Sequence, residues 1–262
     1  MEASEGLLRG AVLHEALHST GIYAAMYKDS TVHYAPLLSS IRFANKAQQA
    51  KITSVLDVGC ATGFGVKALW SLKFTASGVD ISPSAIQTAK ERYVNKENSH
   101  PQCVLHNCFL NGNVARQIPF PTNSVDAILS AGLLEHVEAR DVGRAIGELT
   151  RVARKYLFLQ IASESNMPIM TQFRVPKRGN RTGNELVIRD YRARVGHPIE
   201  TNLRPQLYWI SAFEKFGFVL SRNIPLPGWQ CCAFVLRRNV TASQRYLPRK
   251  LKMRASPGLH IG

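Results

Sequence analysis

Residues 54–66, Ser-Val-Leu-Asp-Val-Gly-Cys-Ala-Thr-Gly-Phe-Gly-Val, are the most informative part of this chain about its fold. It begins with an apolar run too short for a helix, continues through a glycine-rich loop and opens into the helical pattern of residues 66–70. The order is therefore strand, glycine loop, helix. Such a loop lets a ligand lie against bare backbone, and it presents the first unpaired amides of a helix to an anionic group.

The spacing of the glycines narrows the kind of ligand. Gly59, Gly63 and Gly65 are spaced Gly-x-x-x-Gly-x-Gly, and Asp57 stands two positions before the first of them. A dinucleotide fingerprint would read Gly-x-Gly-x-x-Gly, and a P-loop would end in Gly-Lys-Ser or Gly-Lys-Thr. Neither of these phosphate-binding motifs is present.

The loop resembles motif I of the Rossmann-like S-adenosylmethionine-dependent methyltransferases, with Ala61 where the middle glycine is common. A second landmark of that family is an acidic residue that closes the second strand and binds the ribose hydroxyls, and Asp80 stands at about the expected twenty-residue offset. A third is the stretch 118–137, which is similar to the region around strand four. Three landmarks in the right order are far more specific than any one of them.

This resemblance implies an α/β, Rossmann-like methyltransferase fold with a mostly parallel seven-stranded sheet and helices on both faces. It covers approximately residues 54–236. We expect a helical lid at 1–50, the methyltransferase domain at 51–237 with a substrate-side insertion at about 163–205, and a basic, flexible C-terminal tail at 238–262.

The resemblance also implies S-adenosylmethionine as the cofactor. The apolar run Cys103–His106 is interpreted as the third strand, and Asn107 and Cys108 then stand where the family often places an acid that contacts the adenine amino group. Ala131 and Gly132 should form the loop beside the sulfonium. The expected cofactor-binding residues are Asp57, Gly59, Cys60, Ala61, Gly63, Asp80, Ile81, Asn107, Cys108, Ala131 and Gly132.

The methyl group of the cofactor is already electrophilic, so the enzyme must mainly hold an acceptor in line with it. An oxygen acceptor must also lose its proton, and a histidine with a pKa near neutrality suits that role. His136 and His197 are the candidate bases, and Glu135 is an orienting partner or an alternative base. We prefer His136, because strand-end loops converge on the ligand in open parallel sheets.

The five cysteines are an odd number and show no Cys-x-x-Cys spacing. We therefore expect neither a metal site nor a disulfide framework, and we interpret all five as small core or loop residues. No apolar window of membrane-spanning length occurs, and the amino-terminus lacks the features of a secretion signal. A cytoplasmic protein without a transmembrane segment is expected, and a nuclear or mitochondrial location stays open.

The formal net charge of +15 favours polyanionic partners. The basic insertion and the basic tail are the segments that we expect to contact RNA or another polyanion. In contrast, the strand-four exit at residues 130–133 lacks the Asn/Asp-Pro-Pro-aromatic box that resembles amine methylation of nucleic acids or glutamine.

The preferred function is that of an S-adenosylmethionine-dependent methyltransferase acting on an oxygen or nitrogen of a small molecule, sugar or lipid. One alternative is an RNA or ribonucleoprotein methyltransferase. The other is a catalytically degenerate methyltransferase fold that serves as a binding or assembly factor through its basic surface, since Ala61 and Asn107 depart from the family pattern.

Overall fold

The computed structural model describes residues 14, 15, 19, 31–95, 102–162, 204–224, 226 and 231–239. The helices of eight or more residues within these ranges are α1 (Thr31–Ala47), α2 (Phe64–Ser71), α3 (Pro83–Tyr93), α4 (Val142–Val152) and α5 (Gln206–Glu214). The strands are β1 (Ser54–Val58), β2 (Thr75–Asp80), β3 (Phe109–Asn111), β4 (Val125–Ala131), β5 (Ala153–Ala162), β6 (Phe218–Ile224) and β7 (Cys231–Arg238).

The seven strands form one sheet in the order β3-β2-β1-β4-β5-β7-β6. The first five strands in this order are mutually parallel, whereas β7 runs antiparallel to both β5 and β6. The predicted mostly parallel, seven-stranded sheet is therefore confirmed. The strand order reverses between β1 and β4, and ligands of open α/β sheets bind at the carboxyl ends of strands at such a point.

Helices cover both faces of the sheet, which explains the apolar character of its central strands. On one face, Ile41 of α1 and Leu69 of α2 belong to a cluster that also contains residues of α3. On the other face, Leu149 of α4 packs in a second cluster with Trp209 and Phe213 of α5, and all three side chains are fully buried. The two clusters hold the strand ends, and hence the loops after them, in fixed positions.

Asp126, at the start of β4, fixes the amino-terminal edge of the sheet. One of its oxygens accepts hydrogen bonds from the backbone and the hydroxyl of Thr53, both at 2.9 Å, and the other forms ion pairs with Arg154 at 3.1 Å and Lys155 at 3.0 Å. Burial acts to raise the pKa of Asp126, but the Thr53 hydrogen bonds and Lys155 outweigh it and lower that pKa to about 2. The carboxylate thus connects the starts of β1, β4 and β5.

The predicted position of the third strand is wrong. Residues Val104–His106 form a 3₁₀ turn in which Leu105 and His106 have φ angles of 49° and 62°, so the chain cannot be extended there. The third strand is Phe109–Asn111, which begins three residues beyond the predicted one. It forms there because the Phe109 ring is buried against Trp70, with ring centroids 5.8 Å apart.

The cysteine prediction fails at one pair. Cys103 and Cys108 form a disulfide that closes the turn before β3, with Cα atoms 4.7 Å apart. The reason is the turn itself, because its left-handed residues bring two positions together that an extended strand would separate by about 17 Å. Cys60 and Cys232 are buried, as expected of core residues. No cluster of potential metal ligands occurs among the described residues.

Several predicted segments lie mainly outside the described residues. These are most of the lid at 1–50, nearly all of the insertion at 163–205 and nearly all of the tail at 238–262, and the boundaries of the three regions stay predictions. Within the part of the chain that the structure describes, no helix has the length and apolar character needed to cross a membrane.

Candidate functional site

The glycine loop between β1 and α2 lies at the reversal of strand order and forms the centre of the site. Gly63 has a φ of 86° and directly precedes α2, a left-handed conformation that L-residues with side chains rarely adopt. A Cβ atom at Gly65 would collide with the Asp57 carboxylate and the Tyr34 ring. The loop is therefore packed tightly against a carboxylate below it and an aromatic ring from α1.

Asp80, at the carboxyl end of β2, is joined to this loop by hydrogen bonds. Its Oδ2 accepts the backbone N–H of Ala61 and its Oδ1 accepts that of Ser82, each at 2.9 Å. The side chain is 8% exposed. Because an ionised carboxylate has about four acceptor positions, Asp80 can still accept hydrogen bonds from hydroxyl groups of a ligand.

Asp57, in β1, is a buried acid beneath the same loop. It is 0% exposed, and neither of its oxygens makes a hydrogen bond of normal geometry with a described residue. Burial raises its pKa to about 8, although the adjacent Tyr34 hydroxyl lowers the value somewhat and Asp80 raises it further. Such an acid is mostly protonated at neutral pH and would be stabilised in its ionised form by a cationic ligand group.

Cys60 belongs to the loop, but its side chain points into the protein. A Cβ atom at Gly78 would meet the Cys60 Sγ at 2.6 Å, so the thiol fills the space that glycine leaves in β2. Burial, together with the nearby acids Asp80 and Asp57, raises the pKa of the thiol well above its usual value. Cys60 can contribute its backbone to a ligand site, whereas its sulfur serves packing.

Asn107 and Cys108 lie away from the ligand edge, which corrects their predicted placement. In the parallel register of β2 and β3, Asp80 pairs with Asn111, and the Cys108 carbonyl accepts the Gly78 N–H nearer the start of the strands. Both residues therefore precede β3 instead of following it. The prediction followed from the wrong strand position, because a strand at 103–106 would have carried them to the carboxyl edge.

The residues that do follow β3 were missed from the sequence. The side-chain amide of Asn111 donates to the carbonyls of Asp80 at 3.0 Å and Ile81 at 2.9 Å, which attaches the β3 end to the β2 end. Asn113 lies two residues further on, where its Oδ1 accepts the Ala115 N–H at 2.8 Å. The apolar Phe109–Leu110 pair was the available signal for the strand, and it would have placed Asn113 at this edge.

Ala131 ends β4 and Gly132 follows it, next to the glycine loop. Their place beside the sulfonium stays a prediction. Gly132 donates its N–H to the Gln160 carbonyl of β5 at 2.9 Å. The following residue, Leu133, packs so closely on the loop that a Cβ atom at Gly59 would lie 3.3 Å from its side chain. The exits of β1 and β4 thus border one another.

Glu135 and His136 follow in a 3₁₀ turn, Leu134–His136, and burial shifts both of their pKa values. Glu135 is 4% exposed, and its Oε1 accepts the Ala162 N–H at 3.0 Å. Burial raises the pKa of Glu135 to about 7 and lowers that of His136 to about 4. Neither the Glu135 Oε2 nor the His136 Nδ1 has a hydrogen-bond partner among the described residues.

Two residues of the amino-terminal segment contact this edge from above. The His14 ring lies edge-on to the His136 ring with centroids 5.7 Å apart. The Glu15 Oε2 accepts the Ser82 hydroxyl at 2.6 Å and the Ser84 N–H at 3.3 Å. His14 and Glu15, which are adjacent in the chain, therefore contact the residues that follow β4 and β2. Such contacts are consistent with the predicted lid. His197, the other candidate base, lies outside the described residues.

A family model described as a methyltransferase domain matches residues 56–158. This segment is similar to the methyltransferase domains of that family. It extends from β1 into β5 and contains the glycine loop, Asp80, Gly132 and Glu135. The predicted resemblance is confirmed, and S-adenosylmethionine is the cofactor of domains of this class.

Solved structures share the fold of the methyltransferase domain and its surroundings. The magnesium protoporphyrin IX methyltransferase of Synechocystis, crystallised with S-adenosylmethionine, is 15% identical with a TM-score of 0.61, over 90% of this chain and 100% of that one. An S-adenosylmethionine-dependent methyltransferase from Aquifex aeolicus is 18% identical with a TM-score of 0.53, over 84% and 97%. The mitomycin 7-O-methyltransferase is 14% identical with a TM-score of 0.54, over 80% and 54%. No curated protein matches the chain in sequence.

Proposed function

We propose that this chain binds S-adenosylmethionine at the carboxyl edge of β1, β2 and β4 and transfers its methyl group to an oxygen or nitrogen of a small-molecule acceptor. The observation that carries the proposal is the buried Asp57 carboxyl, without a normal hydrogen bond to a described residue, directly beneath a glycine loop that also contacts Asp80. Burying an acid in this way costs free energy unless a cationic group compensates it.

The residues fit the charges and hydroxyls of the cofactor. Asp57 would stabilise the cationic ammonium of the methionyl part, while Asp80 would accept hydrogen bonds from the ribose hydroxyls. Gly112 and Asn113, after β3, replace Asn107 and Cys108 as the residues proposed to border the adenine. The bound cofactor supplies an electrophilic methyl group, and the chain's own residues orient the acceptor and take up its proton.

We assign the role of proton acceptor to Glu135 and not to His136, which was preferred from the sequence. A general base works best when its pKa lies near the working pH. The pKa of Glu135 is about 7, whereas burial lowers that of His136 to about 4 and leaves it a weak base. The neutral His136 instead positions the acceptor through the exposed part of its ring.

A small molecule is the proposed acceptor class because two proteins of similar fold act on small molecules by name, a magnesium protoporphyrin and a mitomycin. The strand-four exit, which lacks the amine-methylation box, supports the same class. A catalytically inactive binding factor is the competing proposal, and it predicts cofactor binding without turnover or no cofactor binding at all.

The test uses tritiated methyl-S-adenosylmethionine and a panel of small hydroxylated metabolites, with the released S-adenosylhomocysteine measured alongside. We expect transfer whose rate rises with pH through about 7, as Glu135 becomes ionised. Glu135→Gln keeps an oxygen that can accept the Ala162 N–H, so it should fold, yet it should lose roughly a hundredfold in rate together with the pH dependence.

The matched variant is His136→Gln, which should keep the rise in rate near pH 7. An unchanged pH profile in Glu135→Gln would remove Glu135 from the role of base. Transfer that ceases in His136→Gln but persists in Glu135→Gln would reinstate His136. Well-folded protein that binds S-adenosylmethionine and transfers no methyl group to any panel member would favour the inactive binding factor.

A further inference from the structure

Helix α1 presents a basic and aromatic surface on the side of the molecule that carries α1, β6 and β7. Arg42 and Lys46 are four residues apart and therefore share one side of the helix, with Phe43 beside them. Phe43 is 43% exposed, and the guanidinium of Arg222 from β6 lies 4.3 Å from the centroid of its ring. A shallow groove of about 550 Å³ runs along Ser39, Arg42, Phe43, Lys46 and Ala47. We call the set Arg42, Phe43, Lys46 and Arg222 the α1 basic surface.

The charges of this surface are not neutralised by acids of the described residues. The sequences of α1, β6 and β7 contain no aspartate or glutamate. Arg42, Lys46 and Arg222 form no ion pair with any acid in the described ranges, whereas Asp126 nearby is already paired with Arg154 and Lys155. Arg237 adds to the same side, because it stands two residues after Val235 in β7 and strand side chains alternate between faces.

The aromatic ring is not explained by the packing of the helix. The large apolar residues Leu37 and Ile41 are fully buried and already supply the face of α1 that packs on the sheet. Phe43 lies outside that face, and the Arg222 guanidinium lies over its ring. Lys46 has a purely structural explanation, since a cation suits the last turn of a helix, but this does not account for Arg42, Phe43 or Arg222.

From this arrangement we infer that the α1 basic surface binds single-stranded nucleic acid. Arg42, Lys46 and Arg237 contact phosphates, and an unpaired base stacks on the Phe43–Arg222 pair. Aromatic rings and guanidinium planes are the groups on which unpaired bases stack. A membrane surface fits less well, because an interfacial helix needs a broad apolar face toward the lipid and that of α1 is buried in the protein.

The surface and the methyltransferase site are separate but close. Tyr34 of α1 packs against Asp57 and the glycine loop, and Phe43 follows it by nine residues, about 14 Å along the helix axis. A nucleic-acid strand bound on α1 would leave the carboxyl edge of the β-sheet open. Nucleic-acid binding therefore does not depend on methyl transfer, and either property can be tested without the other.

The experiment measures fluorescence anisotropy of fluorescein-labelled 12-nucleotide oligouridine RNA with the full chain at several salt concentrations. Oligothymidine DNA and a duplex RNA of equal length are parallel probes, and phosphatidylserine vesicles are tested as a competitor. We expect the single strands to bind more tightly than the duplex, with affinity that falls as salt rises. Comparison of the RNA and DNA single strands identifies which of the two nucleic acids binds more tightly.

The variants separate stacking from charge. Phe43→Ala should weaken single-strand binding roughly tenfold without changing the salt dependence, and Phe43→Tyr should restore it. The double variant Arg42→Ala and Lys46→Ala should reduce the salt slope of a single strand by about 1.4. The control is Lys215→Ala, because Lys215 is exposed and directly follows α5 in the opposite helical layer. This variant removes one charge away from the α1 basic surface and should bind like the unaltered chain.

Three results would overturn the inference. The first is absence of binding at low salt. The second is that Phe43→Ala and the double variant bind with the same affinity as Lys215→Ala, which would show that other basic segments bind the oligonucleotide. The third is displacement of the oligonucleotide by vesicles at matched charge with no effect of Phe43→Ala, which would favour a lipid surface. Circular dichroism and thermal unfolding confirm that each variant is folded before it is compared.

Discussion

At the scale of single residues, two buried carboxyl groups determine how the candidate site responds to pH. Asp57 lies in β1 and Glu135 just after β4, and burial raises their pKa values to about 8 and about 7. Both are therefore partly or largely protonated near neutral pH. A cationic ligand group beside Asp57 would favour its ionised form, and an acceptor beside Glu135 could transfer a proton to the ionised fraction of that residue.

Binding of S-adenosylmethionine is expected to release a proton from Asp57. With a pKa of about 8 in the free chain, Asp57 is mostly protonated at pH 7, and the ammonium group of the cofactor would lower that pKa. About 0.9 proton should be released per cofactor at pH 7. Calorimetric titrations at pH 7 in buffers of different ionisation enthalpy measure this number directly.

The control for proton release is Glu91→Gln, a substitution of an exposed acid of α3 that accepts a hydrogen bond from Gln87. It should release as many protons as the unaltered chain, whereas Asp57→Asn should release almost none and bind more weakly. Equal proton release by Asp57→Asn would show that the ammonium group does not contact Asp57.

The sequence alone was enough to assign a role to some of these residues, but it did not reveal the burial and pKa values of others. Asp80 could be assigned because a short apolar run ending in an acid, at a fixed distance from the glycine loop, is a local property. Neither the burial of Asp57 nor the raised pKa of Glu135 can be read from the sequence, because each depends on residues that approach from other elements. The low pKa of His136 has the same origin, and it reversed the preferred choice of base.

At the scale of elements, β3 shows where pattern reading fails. Cys103–His106 is apolar enough for a strand, yet Leu105 and His106 adopt left-handed conformations and a disulfide closes the turn. The actual strand has only three residues and is held by burial of Phe109. In contrast, the end of β2 was predicted at Asp80, where it is observed, because its offset from the glycine loop marks it.

Ser82 makes an element-scale prediction possible, since it joins the start of α3 to the amino-terminal segment. Its hydroxyl accepts the Ala85 N–H at 3.2 Å as the helix cap and donates to Glu15 at 2.6 Å. Ser82→Ala should lower the free energy of unfolding by about 1 kcal/mol and should also increase hydrogen exchange around residues 14 and 15. Urea unfolding and hydrogen-exchange mass spectrometry measure the two effects.

Ser71→Ala is the matched control, because the Ser71 hydroxyl donates to the Lys67 carbonyl at the exposed end of α2. It should change the free energy of unfolding by only a few tenths of a kcal/mol and leave exchange at residues 14 and 15 unchanged. If Ser82→Ala lowered stability without altering that exchange, the contact between Glu15 and α3 would not anchor the amino-terminal segment.

At the scale of the whole molecule, the free energy of unfolding of the ligand-free chain should be greatest near pH 4–5. The folded pKa values of Glu135 and Asp57 exceed their usual values, so the stability that they contribute is present below about pH 4 and is lost as pH rises through 7 and 8. Asp126 has a lowered pKa of about 2, so its contribution is lost as pH falls toward that value. Glu135 alone should account for about 3 kcal/mol of the decrease at high pH.

Urea unfolding between pH 2 and 9 measures this profile. Asp57→Asn should remove the larger part of the decrease between pH 5 and 9, and Asp126→Asn should remove the loss below pH 4 while lowering stability at neutral pH. A profile of the unaltered chain that rises from pH 5 to 9 would contradict the assigned burial of Asp57 and Glu135.

The central claim is that the glycine loop and Asp80 bind S-adenosylmethionine. Calorimetric titration of the full chain with S-adenosylmethionine and S-adenosylhomocysteine tests it most directly, with Asp80→Ala beside Glu91→Ala as the control for loss of an acid. We expect micromolar binding of both ligands, retained in Glu91→Ala and lost in Asp80→Ala. Absence of binding by well-folded protein, or equal affinity in Asp80→Ala and the unaltered chain, would contradict it.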